Sequence, residues 1–115
     1  MKNKVITSES MNYDYDCEND SLFIYSKKPY TYDISIEADN NVIIDLDSCG
    51  NPVAFEFLNA SRVFKLDKSY FKSIDTINIH TVFGREAFEL KVELGVLINN
   101  KKQVFCNSGV GILTA

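Results

Sequence analysis

Residues 42–58 read VIIDLDSCGNPVAFEFL, and the alternation in this stretch decides the fold class. Val42, Ile44 and Leu46 alternate with Ile43, Asp45 and Asp47; beyond the turn, Val53, Phe55 and Phe57 alternate with Ala54, Glu56 and Leu58. A strand sends successive side chains to opposite faces, so this period of two marks two ribbons half buried in a sheet. With Cys49-Gly50 at the tip, Leu46 faces Val53, Ile44 faces Phe55 and Val42 faces Phe57, all on one side. A slip of one residue would turn one apolar set to the opposite face, so the pattern specifies its own register.

The same pattern continues outward. Short runs rich in β-branched and aromatic residues, at 12–16, 21–26, 32–38, 42–47 and 52–58, are separated by Asp, Asn, Gly and Pro clusters. A short helix is expected around 60–66, extending toward 72. Asn59 would be its N-cap, Val63, Leu66 and Tyr70 would cover the sheet, and Arg62, Lys65 and Lys68 would face water. Three further strands follow at 74–83, 86–98 and 103–106. A hairpin with Gly84-Arg85 at its tip would pair Ile79 with Leu90, Ile77 with Val92 and Thr81 with Phe88. A turn at 99–102 would fold 103–106 back on 96–98. Residues 1–10 are polar and expected to fray. The fold class is α+β, a mostly antiparallel twisted sheet with one short helix, in a single domain spanning 1–115. Within it, 12–66 would form hairpins plus helix, and 74–115 a meander that extends the sheet or packs against it.

Composition bounds the function. The 115 residues are 45% hydrophobic and 24% charged, the balance of one globular domain with its own core. A formal net charge of −4 opposes binding to nucleic acid, which needs a concentrated positive surface. The doublets Lys27-Lys28 and Lys101-Lys102 read as solvated turns. Three cysteines, Cys17, Cys49 and Cys106, without a C-x-x-C pair, fit free thiols in a reducing compartment. No run approaches the ~20 apolar residues of a membrane span, and 1–10 lack the apolar core of a signal peptide. The expectation is a cytoplasmic protein without membrane or nucleic-acid partners.

Three pieces follow in order within residues 12–61. The first is Tyr13-Asp14 followed by Glu18-Asn19-Asp20-Ser21-Leu22-Phe23-Ile24. The second is Val42-Ile43-Ile44-Asp45-Leu46-Asp47 with the turn Ser48-Cys49-Gly50-Asn51. The third is Pro52-Val53-Ala54-Phe55-Glu56-Phe57-Leu58-Asn59-Ala60-Ser61. By these pieces the segment resembles a short prokaryotic family known as domain of unknown function 2283. Ala54-Phe55-Glu56-Phe57 stands where a Gly-Ile-Glu-Ile-like run is usual, and Cys49 replaces a more polar residue. The resemblance implies a small antiparallel sheet followed by a helix; it implies no activity and no catalytic residues.

The chemistry-bearing residues favour plain readings. Asp45, Asp47, Gly50 and Glu56 fall at positions 1, 3, 6 and 12 of a calcium-loop pattern. Cys49 is a poor ligand for a hard cation, and the flanks alternate as strands, so turn chemistry explains them. His80, the single histidine, sits on the polar side of its strand beside Asn78 and Val82, with no thiol placed near it. Asp14, Asp16, Glu18 and Asp20 crowd one turn. Crowded carboxylates can serve acid/base hydrolysis, but alternating Tyr-Asp-Tyr-Asp also reads as an edge strand with an acidic face in water. No catalytic, cofactor or metal residues are assigned.

What stands out is apolar strand surface beyond what one helix can cover, in the runs 96–98, 104–106 and 110–113. This points to a non-enzymatic interaction module that self-associates as a homodimer or other homo-oligomer. Val96, Leu97, Ile98, Val104 and Phe105 are its candidate interface. Tyr30 and Tyr32 join them, since with Tyr25 they cluster around Lys27-Lys28-Pro29 and aromatics are enriched at interface cores. Two alternatives stand beside it: a neutralising partner of a small basic, toxin-like protein, which an acidic surface would suit, and an acid/base hydrolase using the acidic cluster.

Overall fold

The computed structural model describes residues 2–38 and 41–112, with side chains for 9–38 and 41–111. Among the described residues, nine strands and short helical pieces follow the order β1 (Lys2–Thr7), β2 (Met11–Asp16), β3 (Ser21–Ser26), β4 (Ile34–Ala38), β5 (Val42–Leu46), β6 (Pro52–Phe57), α1 (Ala60–Val63), a 3-10 segment (Lys68–Ser73), β7 (Ile74–Phe83), β8 (Ala87–Ile98) and β9 (Lys101–Ile112). A further 3-10 turn, Ser8–Ser10, joins β1 to β2. The strands form two sheets, β1-β7-β8-β9 and β2-β3-β6-β5-β4, and all pairings are antiparallel. The mostly antiparallel expectation is met, with helix reduced to one turn and two 3-10 pieces.

The sheets pack through their apolar faces. Leu22, Ile24, Ile44, Phe55 and Phe57 of one sheet and Ile77, Ile79, Leu90, Val92 and Leu94 of the other belong to one buried cluster. Full burial of each such side chain is worth roughly 1.5–3 kcal/mol. The strands carry more apolar surface than one helix can cover, as expected, but most of its cover comes from within the chain and not from a second copy: the two sheets cover each other. Val96 lies in the same core, fully buried, and does not reach the surface. Of the run 110–113, Leu113 lies outside the described residues.

Several local expectations are corrected. Val42↔Phe57 and Ile44↔Phe55 pair as anticipated, but a bulge at Asp45/Leu46 sets Leu46 opposite Pro52 instead of Val53. A bulge inserts one unopposed residue and bends the strand. In the second hairpin Ile79 pairs with Val92, Ile77 with Leu94 and Thr81 with Leu90. The cause is a longer turn: Phe83 faces Phe88, and Gly84 N donates to Ala87 O at 2.8 Å. The shift is two residues, so every side chain keeps its face. Residues 2–7 are not frayed; they form β1 against β7, from Lys2↔Phe83 to Thr7↔Asn78, and give that ten-residue strand a second neighbour. β9 is three times the expected length, because Ile98↔Lys101 closes a two-residue turn and pairing runs on to Ala87↔Ile112. Asn99 and Asn100, with φ of 53° and 63°, supply the left-handed pair that such tight hairpins need.

The helix is one turn, broken where Lys65 takes φ 54°. Its buried contacts come from Phe64 and Leu66, and from Phe71 in the following 3-10 segment, whereas Tyr70 is exposed. Arg62, Lys65 and Lys68 face water as expected. Asn59 is left-handed and makes no capping bond. The cap comes from 41 residues away: Asp20 Oδ1 accepts from Ser61 N at 3.0 Å.

Candidate functional site

Strand parity sorts the outward side chains of the two sheets by charge. On the five-stranded sheet, one outward row runs Asn12, Tyr25, Ala54, Asp45 and Ser35, and the next Asp14, Phe23, Glu56, Ile43 and Glu37. β2 to β6 contain no lysine or arginine. Residues 9–61 hold eleven carboxylates against Lys27 and Lys28, while 62–115 hold five against eight basic residues. Neutral donors serve these carboxylates. Ser21 Oγ donates to Glu56 at 3.1 Å, Ser35 Oγ to Asp45 at 2.6 Å, and Asn19 Nδ2 to Asp16 at 2.8 Å. The Asn19 bonds hold the Asp16 carboxyl below its usual range. Phe23 and Tyr25 stack at 5.1 Å in the middle of this face. Desolvation, with the Asp14 charge beside it, raises the Tyr25 phenol. An open groove of about 420 Å³ runs here, lined by Asp14, Asp16, Ser21, Phe23, Glu56 and Leu58 among others.

The four clustered acids do not converge. Asp14 and Asp16 line the groove, and Glu18 is exposed. Asp20 faces the helix instead: Tyr15 OH donates to its Oδ1 at 2.6 Å, and Ser61 Oγ to its Oδ2 at 2.6 Å. Desolvation alone would raise the Asp20 carboxyl. The Ser61 and Tyr15 bonds, with Lys68 nearby, outweigh it and hold the carboxyl below the ordinary range. Burial, then the bond to Asp20, pushes the Tyr15 phenol well above its usual value. The calcium-loop residues are likewise spent separately: Asp47 Oδ1 accepts from Cys49 N and Asn51 N, an Asx turn, while Asp45 and Glu56 serve the bonds above. His80 is exposed on the outward side of β7, and Cys17, Cys49 and Cys106 are exposed free thiols.

The outward side of the four-stranded sheet is different. β8 presents Glu89, Lys91, Glu93, Gly95 and Leu97, and β9 presents Val110, Ser108, Cys106, Val104 and Lys102 beside them. β7 adds Val82, His80, Asn78 and Thr76. The charges balance, two carboxylates against two lysines. Lys91 Nζ lies 3.9 Å from Glu93 Oε1, and the Lys102 stem lies across Gly95. Leu97, Val104 and Val110 are 45%, 56% and 52% exposed. Of the anticipated interface residues, Leu97 and Val104 therefore come together on this face. Ile98 and Phe105 are partly buried against the core. Tyr30 and Tyr32, exposed in the β3–β4 connection next to exposed Ile34, belong to a separate patch. Sequence reading missed the two-face charge sorting, although a charge count by segment would have found it.

Comparison with known proteins agrees with this frame. The model of the family "Protein of unknown function (DUF2283)" matches residues 12–61, which span nearly all of the five-stranded sheet and the helix start. An uncharacterized protein of Methanocaldococcus jannaschii is 32% identical over 101 residues, covering 84% of this chain and 82% of its own. A protein of Methanosarcina mazei, named "Putative hypoxanthine phosphoribosyltransferase", is 31% identical over 102 residues, covering 88% of this chain and 78% of its own. Both matches therefore reach beyond the family segment into the four-stranded sheet. No solved structure matches.

Proposed function

The chain belongs to the DUF2283 family of proteins of unknown function, and we propose that within it this chain is a non-enzymatic interaction module that self-associates. The observation that carries this reading is large apolar side chains left at the surface by a core that is already closed: Leu97, Val104 and Val110 on one sheet, Tyr30, Tyr32 and Ile34 beside the other. Apolar patches of this kind mark contact surfaces. The core cluster drawn from both sheets supports treating the chain as one domain. Light scattering at micromolar concentration tests the reading: twice the chain mass is expected, and a clean monomer across that range opposes it.

A second reading has its own observation. The outward side of the five-stranded sheet is acidic without a cation in its strands, and two such faces repel each other. A small basic protein would be drawn to it. The test is titration with a small basic protein at low and high salt. Binding at low salt that is lost when Asp14, Asp16 and Glu56 are changed to their amides supports it; no binding, or binding indifferent to the amides, opposes it. The transferase name of the Methanosarcina relative finds no support here: the carboxylates of this groove would repel a phosphorylated substrate.

A further inference from the structure

We propose that the self-association surface is the outward side of the four-stranded sheet, and that two copies meet there face to face about a two-fold axis at the level of Val92. This rests on the self-association reading and adds to it the surface and its symmetry. An isologous contact places a patch against its own copy, so a patch of one sign repels itself. The outward side of the five-stranded sheet carries Asp14, Asp16, Asp45, Glu56 and Glu37 and no cation in its strands. The outward side of the four-stranded sheet is balanced.

Order along the strands goes further. On β8 the outward charges Glu89, Lys91 and Glu93 alternate in sign. Rotation about an axis in the plane of contact, across the strands and level with Val92, reverses strand direction and keeps each strand over its own copy. Lys91 then faces the partner copy at position 93, and Glu93 faces it at position 91, so each charge meets its opposite. Glu89 comes over position 95 of the partner copy, a glycine roofed by the Lys102 stem, so the fourth charge is matched as well.

On β9, Asn107 pairs with Val92, so the same axis passes level with Asn107. Val104 of one copy then meets position 110 of the other, valine against valine. Both are more than half exposed in the single chain. On β7, where Ile79 is level with Val92, His80 comes over position 78 and Val82 over position 76. One operation thus matches the four charges and both exposed valines of the face. Four strands of these lengths, at ~4.8 Å spacing and ~3.3 Å per residue, offer on the order of 600 Å². That approaches the ~800 Å² per partner of a standard interface. The Tyr30, Tyr32 and Ile34 patch lies on a loop and a five-residue edge strand and offers less.

The test is a charge swap read by sedimentation velocity on the full chain. Lys91→Glu puts carboxylates against carboxylates and should weaken the dimer at least tenfold. Lys91→Glu combined with Glu93→Lys restores opposite charges under the same symmetry and should recover most of it. Val104→Lys should also split the dimer. All three positions are solvent-exposed or half-exposed, and melting curves check that each variant folds. A dimer indifferent to Lys91→Glu and Val104→Lys but split by Tyr32→Lys or Ile34→Lys would overturn the surface and leave self-association standing. A Lys91→Glu loss that Glu93→Lys does not rescue would overturn the two-fold placement. A native chain that is monomeric throughout would remove the self-association reading itself.

Discussion

Asp20 ties three parts of the chain together. Its carboxylate receives Tyr15 OH, Ser61 N and Ser61 Oγ, and its carbonyl receives Ala60 N at 2.9 Å. Asp20→Ala should cost about 2 kcal/mol in urea denaturation, since bonds to a charged group are worth ~1.5–3 kcal/mol and partial exposure trims the gain. The pH dependence has a defined sign. A carboxyl held below its unfolded value contributes stability that is present above the unfolded pKa, roughly 4, and is lost as pH falls through the lower folded value. The gap between native and Asp20→Asn chains should therefore narrow on acidification below about pH 4. The sequence displayed Asp20 only as one of four crowded acids. Its role depends on Ser61, 41 positions away, which no local pattern reports. Gly111 carries a similar lesson. A Cβ there would sit 2.2 Å from the Phe88 ring and 2.9 Å from Glu37 O. Gly111→Ala should cost about 1–3 kcal/mol through overpacking, read as a lowered melting temperature.

At the scale of elements, the strands were legible and their registers partly so. Alternation names the buried face of β5, β6, β7 and β8 correctly because parity survives a two-residue shift. Turn length does not follow from parity, so the β7–β8 register moved when the turn took Gly84 to Ala87 instead of two residues. β1 was hidden by its lysines, since an edge strand pairs through its backbone. The helix was legible as a position but not as a length. Its attachment is aromatic: Tyr15 stacks on Phe71 at 4.4 Å, Phe71 meets Phe64 at 6.4 Å, and Phe64 meets Phe57 at 5.3 Å. Helical spacing selected Val63, Leu66 and Tyr70, because it assumes a helix that continues past Lys65. Phe71→Ala should cost about 3–5 kcal/mol, measured by chemical denaturation. Tyr70→Ala, at an exposed site, should stay within about 0.5 kcal/mol.

For the whole molecule, the two sheets bury one face each in a common core and expose faces of opposite design. One is acidic with an aromatic centre; the other is charge-balanced, with valines set symmetrically about Val92. The candidate interface was legible in part: Leu97 and Val104 were named from their apolar run, whereas Val96, alternating with Leu97, went to the core. The symmetry was not legible, because it depends on the register of three strands. Hydrogen exchange at rising protein concentration tests the central claim most directly. Amides of Ala87–Ile98 and Lys101–Ile112 should slow as copies pair, while those of Met11–Asp16 and Ser21–Ser26 stay unchanged. Exchange in β8 and β9 that is indifferent to concentration, or slowing confined to the segment around Tyr32 and Ile34, would contradict the account.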